Sequence, residues 1–367
     1  MSVLNRRNLL VGLGAIATTA ATGKIVGEVT ERGEYKTTNF IDDPRVPALP
    51  VAPGLQGERH YLAVSHGIEL RYEILQPKGE AKGTFVLLPG KGDTAEDLAK
   101  LATGYAQAGY KVFSLDPRGQ GASGREVQDS SRVYVESFDK YRSDVKEFFD
   151  KVVDPQHVAG QPKVLVAHSM MAAAMYVGLA EKQVSVTAFV ALAPMVVAKA
   201  LDGVLPKIVL RLFKAFGAGP AYVPGGGSLA HAGTASDNDY TNDATEFAAM
   251  KKVDENPVLP TGSATNAWAV AAMDNSARIA ALPDGAIKVP TIVICAGNDQ
   301  TVDNLVIRKM ISKFAKADLM TIDGAKHELE RGGPEVLKQI FDATALLLKK
   351  TQMRAASAIR PAASKLG

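Results

Sequence analysis

The stretch KVLVAHSMMAAAMYVGL, residues 163–179, decides the fold. Its first five residues are a short, β-branched apolar run of the kind that forms a strand buried on both faces. From Met170 the composition changes to Ala, Met and Leu, which favour helix. One serine, Ser169, stands at the junction. A buried strand that passes directly into a helix is the repeating unit of a parallel sheet covered by helices.

The same unit recurs outward in both directions. Apolar strands are predicted at 84–88, 111–115, 186–192, 290–296 and 319–322. Helices are predicted at 95–108, 137–153, 170–179 and 334–349, the second from Phe138, Tyr141, Val145, Phe148 and Phe149 at helical spacing. A hairpin of 59–64 and 69–75, turning at Ser65-His66-Gly67, supplies an antiparallel edge. The fold class is therefore α/β: a mostly parallel sheet flanked by helices, with a core built from 59–194 and 289–352. Residues 195–288 interrupt the rhythm, are too long for a simple crossover and read as an inserted helical cap or lid. Within it Leu205, Ile208, Val209, Leu212, Phe213 and Phe216 follow helical spacing, with Lys207, Arg211 and Lys214 opposite. Such a helix either packs on the core or covers an apolar pocket and touches lipid. Pro44, Pro47, Pro50 and Pro53 make 31–58 an extended arm or surface strap, and 353–367 reads as a flexible tail.

Composition excludes several functions. A 367-residue chain with 46% hydrophobic residues can bury a large core, and a net charge of +3 without a basic stripe argues against nucleic-acid binding. The single cysteine, Cys295, lies in a strand and can form no internal disulfide. No His or Cys cluster has metal-ligand spacing, and no cofactor or metal is called for. At the N-terminus Arg6-Arg7 precedes a weakly apolar, alanine-rich run. Residues 1–30 thus read as a twin-arginine-like export signal, for a periplasmic or secreted protein, or as an uncleaved membrane anchor.

The chemistry is sought where strands end, because ligands of a parallel sheet bind at its C-terminal rim. Ser169 follows one strand, pushed out above a helix N-terminus. Asp299, in Ala296-Gly297-Asn298-Asp299, follows the next strand after the insertion, with Asp303 a nearby competitor. His327, in Gly324-Ala325-Lys326-His327-Glu328, follows the last strand. The order serine, acid, histidine is the chain order of an α/β-hydrolase. The candidate roles are Ser169 as nucleophile, His327 as base and Asp299 as the acid that orients it. His60, His66, His157, His168 and His231 do not fit the base position. The glycine-rich turn Leu88-Pro89-Gly90-Lys91-Gly92 exposes backbone N–H groups, and that of Lys91 can join that of Met170 as an oxyanion hole.

Several segments resemble the lysophospholipase L2 and monoacylglycerol lipase-like (serine aminopeptidase-like) branch of the α/β-hydrolases. They are Leu88-Pro89-Gly90, Asp116-Pro117-Arg118-Gly119-Gln120-Gly121, His168-Ser169-Met170 and Gly324-Ala325-Lys326-His327-Glu328. In the insertion, Asn238-Asp239-Tyr240-Thr241-Asn242-Asp243 and 262–268 resemble segments of bacterial lysophospholipase L2-like proteins. The resemblance implies a serine esterase cleaving a lysophospholipid or monoacylglycerol, with lipid ester as partner and transient membrane-surface contact through the cap. Two departures stand out: Pro89 replaces the family's His, and Ala167 and Met171 replace the glycines that flank the nucleophile. Met171 either finds space beside its helix or opens the turn and displaces Ser169. The alternative is a weak or inactive member that binds an apolar ligand or a partner; a third option retains the triad but acts on amides or C–C bonds.

Overall fold

The computed structural model describes residues 37–228 and 233–359. The sheet has eight strands: β1 (Gly57–Ala63), β2 (Glu69–Leu75), β3 (Thr84–Leu88), β4 (Lys111–Leu115), β5 (Lys163–His168), β6 (Ala188–Leu192), β7 (Thr291–Ala296) and β8 (Ala317–Ile322). Their order is β1-β2-β4-β3-β5-β6-β7-β8. The pairs β1/β2 and β2/β4 are antiparallel and the remainder parallel. The parallel register places Leu88 beside Ala167, His168 beside Leu192 and Ala296 beside Ile322, so five strands, β3, β5, β6, β7 and β8, deliver their following loops to one rim.

Alternate residues of each strand face opposite ways. Phe85, Leu87, Val112, Val164, Val166, Val190 and Ile294 line one core with α1 (Ala99–Gln107) and α8 (Pro334–Ile359). Val86, Phe113, Leu165, Phe189 and Val293 line the other, with α2 (Phe138–Phe148) and α3 (Ser169–Ala180). Helix α3 is buried on every side from Ser169 to Leu179, which explains why its sequence has no polar face. Ser137 caps α2 by accepting the N–H of Asp139.

Between β6 and β7 the chain forms α4 (Val204–Phe213), α5 (Ala244–Asp254) and α6 (Asn266–Ala281). Helix α6 packs on α2, α3 and α4, so the last part of the 195–288 segment joins the helical layer of the core. Helix α7 (Asn304–Lys309) follows β7. No helix among the described residues is long and apolar enough to cross a membrane.

Four details differ from expectation. Helix α1 starts at Ala99, not at 95, because 94–99 turns through bonds to the third residue back, Asp97 N–H to the carbonyl of Thr94 and Ala99 N–H to that of Glu96, and helical bonding begins with Ala102 N–H to Leu98. The proline-rich strap is packed, not free: Phe40, Val46 and Leu49 are buried, and the Tyr61 hydroxyl donates to the carbonyl of Phe40. Helix α8 runs on to Ile359, since Gln352, Met353, Arg354 and the alanines beyond are good helix formers; the expected tail from 353 is thus helical for seven more residues. Helix α4 turns Leu210 inward, while Leu205, Ile208 and Leu212 on it and Phe216 in the turn of 214–218 that follows, all expected on one apolar face, point into solvent. The proposed signal at 1–30 and His231 lie outside the described residues.

Candidate active site

Ser169 begins α3 with φ of 44°, in the left-handed region where a side chain is strained. That turn brings its Oγ to 2.9 Å from His327 Nε2. His327 Nδ1 in turn lies 2.7 Å from Asp299 Oδ2. All three are buried. Residues separated by up to 158 positions are thereby placed in one hydrogen-bonded line. The other Asp299 oxygen, Oδ1, accepts the N–H groups of Thr301 and Val302 at 2.8 and 2.9 Å. Burial opposes the charge of Asp299, but His327 and these two N–H groups outweigh it and hold the carboxyl below its ordinary range. Asp303, the competing acid, instead caps α7 through the N–H groups of Leu305 and Val306.

Neighbouring loops fix this line. The carbonyl of Asp299 accepts the Lys199 ammonium at 2.5 Å, and Asn298 N–H donates to the carbonyl of Ala325 at 2.8 Å. The Asn238–Asp243 motif embraces the histidine loop. Glu328 N–H donates to the carbonyl of Tyr240, the Thr241 hydroxyl to that of Arg331 and the Asn242 amide to that of Gly324.

The turn after β3 has a similar economy of donors. Gly90 N–H donates to Asp93 Oδ2 at 2.9 Å and Gly92 N–H to the Gln120 carbonyl. Neither the Lys91 N–H between them nor that of Met170, in the first turn of α3, donates to an acceptor among the described residues. Helix first-turn N–H groups lack intrahelical partners and favour negative charge. Met171 is 1% exposed within the apolar cluster, and the Ser169–His327 contact is retained, so its side chain has found space and the turn has not opened. The Trp268 indole donates to Met170 Sδ at 3.3 Å.

The line opens on a cavity of about 920 Å³. Its lining mixes apolar side chains, Met195, Val197, Leu201, Val223, Trp268 and Leu305, with the polar Lys91, Lys199, Asp202 and Gln300. An imidazole so placed can take a hydroxyl proton, and free N–H groups can receive a developing oxyanion.

A feature missed in the sequence lies directly beneath. Buried His168 meets Asp93, Glu328 and Glu330, four potential ligand atoms all within 4.8 Å of one another. No local spacing announces this cluster, because Asp93 and Glu330 lie far from His168 in the chain. The nearest signal was the charged pair Glu328 and Glu330 in a loop otherwise destined for burial.

Comparison with known proteins agrees with the geometry. The family model described as serine aminopeptidase, S33 matches residues 79–332. A probable lysophospholipase L2 of Haemophilus influenzae is 26% identical over 272 residues, 73% of this chain and 85% of that one. Lysophospholipase L2 of Escherichia coli K12 is 25% identical over 73% of this chain and 76% of its own. A soluble variant of monoglyceride lipase from Saccharomyces cerevisiae, solved with a substrate analogue, superposes with a TM-score of 0.67 at 18% identity, over 83% of this chain and 99% of that one. The strand order, the serine at the strand–helix turn and the span of the family match lead to one conclusion: the chain belongs to the serine aminopeptidase S33 family of α/β-hydrolases.

Proposed function

We propose that the protein is a serine ester hydrolase that cleaves single-acyl lipid esters, of the lysophospholipid or monoacylglycerol class, through an acyl-enzyme. The observation that carries this reading is the buried line Asp299–His327–Ser169, at 2.7 and 2.9 Å, facing a partly apolar cavity. His327 Nε2 removes the Ser169 proton as Oγ attacks the ester carbonyl carbon. The oxyanion is received by the N–H groups of Lys91 and Met170, each such donor being worth about 3–4 kcal/mol in a transition state. Collapse breaks the C–O bond, and His327 returns the proton to the leaving alcohol. Water, deprotonated by His327, then attacks the acyl carbon and frees Ser169 and the acid. Asp299 keeps Nδ1 protonated, so that Nε2 is the basic nitrogen. Apolar side chains such as Trp268 and Leu201 in the lining suit an acyl chain, and polar ones such as Lys91 and Lys199 suit a headgroup. The relatives named for lysophospholipid and monoglyceride hydrolysis support the same substrate class. The rival reading, a non-catalytic binder, was motivated by Met171 and by Pro89 in place of the family's His; the contact of Ser169 with His327 counts against the first motive and leaves the second to the labelling test.

The test is labelling by a fluorophosphonate probe, followed by an ester chain-length screen. Labelling of the wild type, lost in Ser169→Ala and His327→Ala, supports the reading; a folded wild type that resists the probe refutes it.

The exposed face of α4 extends the proposal. Leu205, Ile208 and Leu212, and Phe216 just beyond the helix, are each at least half exposed, with Lys207 and Arg211 exposed on α4 as well. An exposed apolar face on a helix that carries cations on its other side fits an anionic lipid surface. Flotation with anionic vesicles should carry the wild type upward and leave Ile208→Asp/Phe216→Asp behind; equal flotation of both excludes α4 as the contact. We also read residues 1–30 as an export signal. Replacing Arg6 and Arg7 by Lys should retain the protein in the cytoplasm, and unchanged fractionation would refute that reading.

A further inference from the structure

Three loops of the site converge beneath Ser169 on four buried ionisable side chains. Asp93 comes from the turn after β3, His168 from the end of β5, and Glu328 and Glu330 from the loop after β8. His168 Nδ1 lies 3.1 Å from Asp93 Oδ2, 3.0 Å from Glu330 Oε1 and 3.5 Å from Glu328 Oε2. One ring nitrogen carries one proton, and here it is directed at Asp93. Both oxygens of Glu330 are buried and find no hydrogen-bond partner among ionised groups; the side chain of Glu328 is within hydrogen-bonding reach, a contact that needs a proton on one of the two acids. The second ring nitrogen, Nε2, is 3.2 Å from the backbone carbonyl of His327. A neutral imidazole has only one N–H; serving a carboxylate at Nδ1 and a carbonyl at Nε2 together requires the imidazolium.

Asp93 closes the link. Its Oδ2 also accepts the Gly90 N–H at 2.9 Å, so the turn that carries Lys91 hangs from the same carboxylate. The fit is close: a Cβ on Gly90 would lie 2.5 Å from Asp93 Oδ2 and 2.7 Å from His168 Nδ1.

We propose that His168 is a positioning residue: as a buried imidazolium it joins the Gly90–Asp93 turn to the His327 backbone and so holds the Lys91 N–H and His327 in register with Ser169. The proposal rests on the ester-hydrolase reading above.

The electrostatics of the cluster agree with the geometry. Burial disfavours charge on His168, but the negative charge that the cluster carries, on Glu328 or on Asp93, and the hydrogen bond to Asp93 outweigh it and hold the imidazolium up to about 9. Three carboxylates would exceed one imidazolium by two charges, and buried acids in that position keep their protons. Burial and the Asp93 charge push Glu328 well up, and they push Glu330 up to about 8. The remaining charged neighbours are Lys91 on the turn, Asp97 ahead of α1, and His327 and Arg331 on the histidine loop. Arg331 pairs with Asp97 and with Glu246 of α5. Loss of a glutamate proton puts an unbalanced negative charge beside the Asp93–His168 link and loosens both loops at once.

The experiment follows kcat and KM for p-nitrophenyl butyrate against pH in the wild type, His168→Gln and Glu330→Gln, with melting temperatures alongside. His168→Gln should lower kcat about 10- to 100-fold with KM changed less than about threefold, the signature of lost alignment. Wild-type kcat should fall above pH of about 8. Glu330→Gln, whose amide cannot ionise, should move that fall upward by about one pH unit or more. Wild-type kcat in a folded His168→Gln enzyme, or an unmoved alkaline limb in Glu330→Gln, overturns the proposal. If His168→Gln does not fold, the Glu330→Gln profile decides alone. Stabilisation of the wild type by Zn²⁺ or Mn²⁺, reversed by chelator and absent in Glu330→Gln, would make the cluster a cation site and also overturn it. A wild type that neither hydrolyses the ester nor takes the fluorophosphonate fails at the hydrolase reading itself, which separates the two failures.

Discussion

Restoring glycine at position 171, as the G-x-S-x-G pattern has it, should weaken the protein without repairing its site. Met171 is 1% exposed and packs in the main apolar cluster with Ala172, Ala173, Ala174 and Met175. Ser169 already has the left-handed turn, with φ of 44°, and its hydroxyl already lies 2.9 Å from His327. Glycine therefore has no displacement to relieve. Truncating a buried Met to Ala costs about 2–5 kcal/mol, through lost transfer energy and the cavity left behind. Replacing that Ala by Gly within a helix adds about 1 kcal/mol. Met171→Gly should thus be destabilised by about 3–6 kcal/mol, a fall in Tm on the order of 5–15 °C. The assay pairs thermal melting with the rate of fluorophosphonate labelling at 25 °C, where labelling should not accelerate. A variant as stable as the wild type and labelled several-fold faster would refute the reasoning, for it would show that Met171 strains the turn that carries Ser169.

Asp299→Asn should lower kcat by about 10⁴-fold through loss of the correct His327 tautomer, with KM nearly unchanged; a loss under about tenfold would remove Asp299 from the mechanism. The Asp299 carboxyl is held below its ordinary 3.8, so its stabilisation is present above that pH and lost as pH falls. Melting from pH 5 to pH 3 should accordingly fall further in the wild type than in Asp299→Asn. Gly90→Ala should retain a folded protein yet lose about 10²–10³ in kcat, because its Cβ would meet Asp93 Oδ2 at 2.5 Å and push the Lys91 N–H aside; wild-type kinetics would show that the turn does not supply a donor. Glu330 runs opposite to Asp299. Its folded value of about 8 lies above the ordinary 4.5, so stability is greatest below 4.5 and declines as pH rises towards 8. The Tm of Glu330→Gln minus that of the wild type should grow between pH 5 and pH 8, and a constant difference would refute the assigned shift.

Much of this was legible in the chain. Five- and six-residue apolar runs marked β3, β4, β5, β6 and β7, because strands buried on both faces have no polar register to confuse. Ser169, Asp299 and His327 could be chosen since each stands just past a strand end, and parallel strands end at one rim. Other features were hidden by their partners' distance. Residues 95–98 have helical composition but form turns bonded three residues back, with the Ala95 N–H anchored on Asp116 from another strand end. The strap prolines masked the burial of Phe40, Val46 and Leu49, which depends on surfaces the strap itself does not encode. The choice between Asp299 and Asp303 rested on order alone until the hydrogen bonds of Asp303 to α7 were seen.

The sequence by itself determined the alternation of strand and helix, the parallel sheet and the loops in which reactive side chains would fall. Periodicity and propensity act within a few residues and need no distant partner. Only the tertiary structure decided that Met171 fits beside its helix, that the turn after α4 leaves Phe216 78% exposed, and that His168 gathers Asp93, Glu328 and Glu330 around it. Packing space, exposure and the charge state of buried acids arise from residues brought together across the chain, and no local pattern of types records them.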